Sequence, residues 1–241
     1  MKVSIVMTAY RRAEQLRNTL ISIREQTLQP FKIIVTEDGV SPDSEQTEAY
    51  CKEFGAEYYR RYNRPGAAFA CSSMPINIGI KRVKSEILVL QCSECKYESA
   101  DGLEKLVVPV IEDEFVTSFP RVQCLNQDGS FNNWFIHPTE NPRFLNFCQA
   151  LRLDWAIKIG GFDETYRGFG WEDNDFEERL KAQGLTQQYV DTTVSHQWHT
   201  YVGGASTEWF NKALFDKTYE RIQNGEKPIA NVDVDWGNPK G

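Results

Sequence analysis

Along the first ninety residues, hydrophobic and polar positions follow a pattern that predicts strands interleaved with helices. Val3-Ser4-Ile5-Val6-Met7 is a short strand-like run, and Leu16, Leu20 and Ile23 recur at helical spacing within residues 12–26. Phe31-Lys32-Ile33-Ile34-Val35 predicts a second strand, closing on Thr36-Glu37-Asp38-Gly39. Ser41-Pro42 reads as an N-cap followed by proline at N1, opening a helix that runs to about Phe54. A strand near Glu57–Tyr62, a helix over 74–84 and the strand Ile87-Leu88-Val89-Leu90 continue the alternation. Strands separated by helices imply βαβ units, parallel pairing and right-handed crossovers.

After Gln91 the regularity fades. Residues 101–112 suit a helix and 115–120 a strand, while 124–147 form a long polar and aromatic stretch. A helix is expected from Trp171-Glu172-Asp173 to just before Gly184, which fits a C′ position. Residues 187–194 read as a strand and 206–224 as a helix. Proline, glycine, asparagine and aspartate are frequent in 226–241, which predicts a loosely ordered tail.

Composition narrows the partners. The chain has 241 residues, enough for a real core without disulfides or a structural metal. Its 27 basic residues against 34 acidic ones give a formal charge of −7. The longest basic runs are Arg11-Arg12 and Arg60-Arg61, too short to displace counterions along an extended nucleic acid. No apolar run reaches the ~18–20 residues that span a bilayer, and the apolar start is too short for a signal peptide. With six cysteines and no such signal, the expectation is a cytoplasmic protein with reduced thiols.

In an open parallel sheet, ligands bind beyond the C-terminal ends of the strands. Three loops occupy that place here: Thr8-Ala9-Tyr10, Thr36-Glu37-Asp38-Gly39 and Gln91-Cys92-Ser93-Glu94. Asp38 could accept from a base or ribose, or simply form the turn before Gly39. Glu172-Asp173 falls at a helix start, where acids are common for reasons of helix chemistry alone. The flanking Gly168 and Gly170 would let the chain approach a ligand closely.

These segments resemble family 2 glycosyltransferases of the GT-A fold. The opening Val3–Arg12 with Leu16, Leu20, Ile23 and Gln26-Thr27, the strand ending in Thr36-Glu37-Asp38-Gly39, and Asn77-Ile78-Gly79-Ile80 are similar to successive motifs of that family. Gly160-Gly161-Phe162-Asp163-Glu164 and Gly168-Phe169-Gly170-Trp171-Glu172-Asp173-Asn174-Asp175 look like its acceptor-side segment, which also resembles that of β-1,4-galactosyltransferases. The resemblance implies a single α/β domain with a Rossmann-like, mostly parallel central sheet flanked by helices. Residues 1–97 would form the nucleotide-sugar half and 98–225 the acceptor and catalytic half.

The resemblance also implies roles. Thr8, Ala9, Tyr10, Asp38 and Asn77 would hold the nucleotide of a donor, usually a UDP-sugar, and Mn²⁺ or Mg²⁺ would bridge its diphosphate. Asp173 would be the general base of an inverting transfer to a glycan or other hydroxyl acceptor, with Glu172 and Trp171 holding that acceptor. The positive end of the helix dipole favours the charged form of an aspartate placed there. Trp134, in the polar stretch, is a further candidate acceptor contact, or else a plug beneath its loop.

The sequence departs from the family where an Asp-x-Asp is expected. Cys92-Ser93-Glu94 stands there instead, so Glu94 aligns with the second aspartate while Cys92 is a poor ligand for a hard cation. Ile76 replaces an arginine that many relatives carry. His196 and His199 stand at the i, i+3 spacing used by two metal ligands of the related galactosyltransferases; one or both could instead be packed or solvent-facing. Three other readings stay open. Cys92-x-x-Cys95 with His196-x-x-His199 could bind zinc. The metal motif could have decayed, leaving a non-catalytic nucleotide-sugar or glycan-binding module. A nucleotidyltransferase would want a basic, glycine-rich phosphate loop near the N-terminus, and Thr8-Ala9-Tyr10-Arg11-Arg12 has no glycine.

Overall fold

A computed structural model describes residues 1–61, 72–135, 146–168, 170–200 and 207–238, without the side chains of Asp38 and Arg61. The chain runs β1 (Val3–Thr8), α1 (Ala13–Arg24), β2 (Lys32–Asp38), α2 (Ser44–Glu53), β3 (Glu57–Arg61), α3 (Ser73–Ile80), β4 (Ile87–Cys92) and β5 (Cys95–Tyr97). It continues with α4 (Gly102–Glu112), β6 (Val116–Leu125), β7 (Phe131–Phe135), β8 (Cys148–Arg152), α5 (Leu153–Lys158), α6 (Glu172–Ala182), β9 (Thr186–His196) and α7 (Glu208–Gln223). These strands form one sheet in the order β3-β2-β1-β4-β8-β6-β9-β5, with β7 added on β6.

The first four strands are parallel, as the βαβ pattern requires. The rest of the sheet corrects the expectation of a mostly parallel one. β8 enters antiparallel to β4, β6 is antiparallel to β8 and to β7, and β5 is antiparallel to β9, leaving β6–β9 as the one further parallel pair. Among the described residues no helix lies between β6 and β7, and an antiparallel pair needs no crossover.

Strand alternation splits the core into two layers. Val3, Ile5 and Met7 of β1 and Ile87 and Val89 of β4 face Leu16, Leu20 and Ile23 of α1 and Leu103, Leu106, Val107 and Val110 of α4. Val6, Leu88 and Leu90 point the other way, onto Ile80, Ala156, Phe176 and Leu180 of α3, α5 and α6. Buried on both faces, the central strands read as continuous apolar runs. α6 ends in a Schellman motif: Gly184, at φ +101°, donates its N–H to the Lys181 carbonyl (2.8 Å) and Leu185 donates to Leu180 (3.3 Å).

Asn77 proves to be architectural, which corrects its expected nucleotide contact. Its side chain is fully buried: Nδ2 donates to the Phe162 carbonyl (2.8 Å) and Glu164 Oε1 (3.0 Å), and Oδ1 accepts from the Phe162 N–H (2.8 Å). Neither end of the amide is among the groups lining the cleft at the strand ends. Gly161 lets this happen, since a Cβ there would lie 2.5 Å from Asn77 Oδ1 and 2.7 Å from the Trp236 ring. The C-terminal stretch is likewise not loose over its described part. Ala230 donates to the Ile159 carbonyl (2.9 Å), Asn231 Nδ2 to Gly160 (2.8 Å) and Phe162 (2.7 Å), and Trp236 is buried in the second core layer. Apolar Trp236 and Ala230 outweigh the polar composition around them.

Candidate active site

The strand order 3-2-1-4 reverses between β1 and β4, and a crevice opens at their C-terminal ends, where such sheets bind ligands. The register pairs Thr8 with Thr36 on one side and with Cys92 on the other, so the loops after β1 and β4 are brought together. A cleft of ≈ 190 Å³ lies there, with Thr8, Ala9, Tyr10 and Arg12 along one wall and Cys92, Ser93 and Glu94 along another. Ser72, Pro75 and Ile76 close a third side, and Asn146, Glu172 and Asp173 a fourth. Arg11 (φ +56°) and Trp171 (φ +74°) flank it, two of three non-glycine residues with left-handed backbone among those described. Each costs of order 1–3 kcal/mol, a pattern that clusters at functional sites.

The antiparallel pairing of β5 with β9 places Cys95 opposite His196 and therefore Glu94 beside the histidine pair. Glu94 Oε1 lies 3.3 Å from His199 Nε2 and 3.7 Å from His196 Nε2. Ligand atoms of the three residues fall within 4.8 Å of one another, the only such group among the described residues. Burial alone would raise the Glu94 carboxyl, but hydrogen bonds and charge from the two imidazoles hold it well below the usual carboxylate range. His199 Nδ1 is 3.2 Å from the Thr200 carbonyl; with a cation between Nε2 and Glu94, an Nδ1–H donated there would fix the ring as in metal-bound histidines. One carboxylate and two imidazoles thus fit a divalent transition ion. Arg12, buried at 8% exposure, holds its guanidinium 3.9 Å from the same carboxylate.

The zinc alternative fails on geometry. Cys95, though opposite His196 in the sheet, is buried in the apolar core, and neither cysteine joins the ligand atoms gathered at Glu94, His196 and His199. Cys92 lines the cleft, but although Cys95 favours its thiolate by hydrogen bonding, burial and the nearby Glu94 and Asp173 charges outweigh this and keep the thiol protonated.

Across the cleft, Glu172 and Asp173 are the first two residues of α6. Asp173 Oδ2 accepts the Asn146 N–H at 3.0 Å, and Glu172 Oε1 accepts the Ser72 hydroxyl at 2.9 Å. Thr8, Ala9, Tyr10, Glu94, Glu172 and Asp173 are thus gathered in one cleft, with His196 and His199 at Glu94, while the Asp38 side chain lies outside the described residues. Trp171 does not offer the open stacking face expected of it: its ring packs 5.1 Å from Phe215, with the Lys212 ammonium 5.0 Å away. Trp134 does not line the cleft. It sits on β7, an outer strand rather than a loop, tilted against Phe131 at 5.6 Å.

Sequence reasoning missed Arg12, Ser72 and Asn146. Arg12 had a signal, a basic residue directly after a strand-end loop. Ser72 and Asn146 had none, since each reaches the site through contacts with chain segments 100 and 27 residues away.

The chain is similar to several known proteins. The profile of a second family, described as the N-terminal domain of galactosyltransferase, matches residues 139–206. Chondroitin synthase of Escherichia coli is 22% identical over 237 residues, covering 80% of this chain and 34% of that protein, so the chain spans about a third of that relative's length. A crystal structure of GalNAc-T7 with UDP, GalNAc and Mn²⁺ superimposes with a TM-score of 0.69 over 91% of this chain and 48% of the other, at 14% identity, which marks a shared GT-A fold. The profile of glycosyl transferase family 2 matches residues 4–169, from β1 through the strand-end loops to the segment before α6. The chain belongs to glycosyl transferase family 2.

Proposed function

We propose that this glycosyltransferase moves a sugar from a UDP-sugar to a hydroxyl of a glycan or similar acceptor, with inversion at the anomeric carbon. The observation that carries this reading is the placement of Asp173 and the Glu94–His196–His199 group around one cleft floored by Thr8–Tyr10. The nucleotide would lie over Thr8, Ala9 and Tyr10, with Asp38 at its edge, and its diphosphate would reach Glu94. A divalent cation held by Glu94, His196 and His199 would supply positive charge to the departing diphosphate. Two imidazole nitrogens among three donors favour Mn²⁺ over Mg²⁺, which prefers an all-oxygen shell.

The protein's own groups do the rest. Asp173, with one oxygen fixed by the Asn146 N–H, takes the proton from the acceptor hydroxyl as that oxygen attacks the anomeric carbon. Glu172, anchored by Ser72, orients the acceptor beside it. Arg12 adds a fixed cation on the diphosphate side. The crystal structure of GalNAc-T7 with UDP, GalNAc and Mn²⁺ supports this choice of donor and ion.

Titration calorimetry with UDP and GDP, each with and without Mn²⁺, tests the reading together with turnover of Asp173→Asn. UDP is expected to bind in a Mn²⁺-dependent way. Asp173→Asn is expected to keep that binding and lose ~10²–10⁴-fold in transfer rate, the usual share of a general base. Absence of nucleotide binding, or undiminished turnover by the variant, refutes it.

A further inference from the structure

Gln197 lies between the two candidate ligand histidines, and its side chain is almost wholly buried. Its backbone N–H donates to the Glu94 carbonyl at 2.9 Å. Its Nε2 is within hydrogen-bond reach of that same carbonyl (3.1 Å), of the Gln15 carbonyl (3.0 Å) and of Thr19 Oγ1 (3.3 Å). Its Oε1 accepts from Asn18 Nδ2 at 2.8 Å. One residue further, the Trp198 carbonyl accepts from Gln15 Nε2 at 3.0 Å. A single amide therefore ties three pieces of chain together: α1, the turn carrying Glu94, and the turn carrying the histidines.

This clasp stands where the sheet stops helping. β9 ends at His196, and β5 pairs with it over three residues only, Cys95 to Tyr97. Beyond that, the position of His199 relative to Glu94 depends on bonds made by residues 197 and 198. Glu94 and Gln197 are 103 residues apart in sequence, so no local stiffness sets their separation. A metal site needs its donors placed to about 0.2 Å. We infer that Gln197 is a positioning residue for the divalent cation, clamping the His196–His199 turn against Glu94; this rests on the reading of those three residues as the cation's ligands. The role demands an amide. Its Nε2 adds a donor to two backbone carbonyls, and its Oε1 gives Asn18 an acceptor. Methionine would fill the space and offer neither, and glutamate would set a charge against the carbonyls.

The test is a Mn²⁺ titration of the whole chain without nucleotide, followed by the loss of the free-ion electron paramagnetic resonance signal. Melting of the metal-free proteins is recorded alongside. Gln197→Met is expected to weaken Mn²⁺ by ~10–100-fold, the usual cost of removing an outer-shell partner. Its transfer activity should return when Mn²⁺ is raised, which a merely structural defect would not allow. Asn18→Ala is a second variant at an exposed position, so it leaves the fold intact even if Gln197→Met does not. It should show a smaller loss in the same direction. Wild-type Mn²⁺ affinity in both variants overturns the inference while leaving the cation site standing. The cation site itself falls, and the inference with it, if the wild type takes up no Mn²⁺ or if His199→Ala binds it as well as the wild type.

Discussion

Replacing Asn77 by alanine separates an architectural role from a nucleotide contact. The substitution removes an acceptor from the buried Phe162 N–H and a donor from Glu164 Oε1, while the Phe162 carbonyl keeps Asn231 Nδ2 at 2.7 Å and Glu164 keeps the Gly237 N–H at 2.9 Å. An orphaned buried N–H costs ~1–3 kcal/mol and a lost bond to a charged acceptor a similar amount, part of which the retained partners absorb. The expected loss is about 3 kcal/mol. For a chain of this size each kcal/mol lowers the melting temperature by ~2–4 °C, so a drop of roughly 6–12 °C should appear in a thermal melt followed by circular dichroism. UDP affinity, measured by calorimetry well below the melt, should stay within about twofold of wild type, because neither end of the amide faces the cleft. A tenfold weaker UDP affinity with an unchanged melt would refute the reasoning and return Asn77 to the nucleotide site.

Arg179, 1% exposed, donates to Asp175 Oδ2 (2.8 Å) and to the Ile159 (2.7 Å) and Gly161 (2.9 Å) carbonyls, so Arg179→Met strands a buried carboxylate and should cost ~3–5 kcal/mol in urea unfolding. Adding Asp175→Leu should recover part of that, and a double variant no better than the single would contradict the account. Burial pushes the Cys51 and Cys148 thiols up to about 12 from an ordinary 9.0. The folded value lies above the unfolded one, so this contribution is intact below about pH 9 and is lost as pH rises from there toward 12. Each thiol should remove about 1.4 kcal/mol per pH unit in that window. Under reducing conditions, Cys51→Ala with Cys148→Ala should flatten the alkaline fall in stability, and parallel pH profiles would rule the thiols out.

The sequence by itself determined most of the parallel half. Apolar runs long enough to be buried on both faces, separated by amphipathic segments, admit few arrangements besides β1–α1–β2–α2–β3–α3–β4, and the strand-end loops followed from that. The acids opening α6 and the glycine ending it were legible for the same reason: helix termini have local chemistry, read from neighbours a few residues away. What local pattern cannot carry is long-range register. β5 has three residues and β8 five, too short to show a period, yet the pairing of Cys95 with His196 sets Glu94 beside both histidines. The tertiary structure alone decided that Asn77 would grip Phe162 instead of a ligand, that Trp171 would lie against α7, and that Trp236 would pin the C-terminal stretch to the core. Each of these depends on which distant surface a side chain meets, and burial of that surface outweighs the weak preferences written into any short segment.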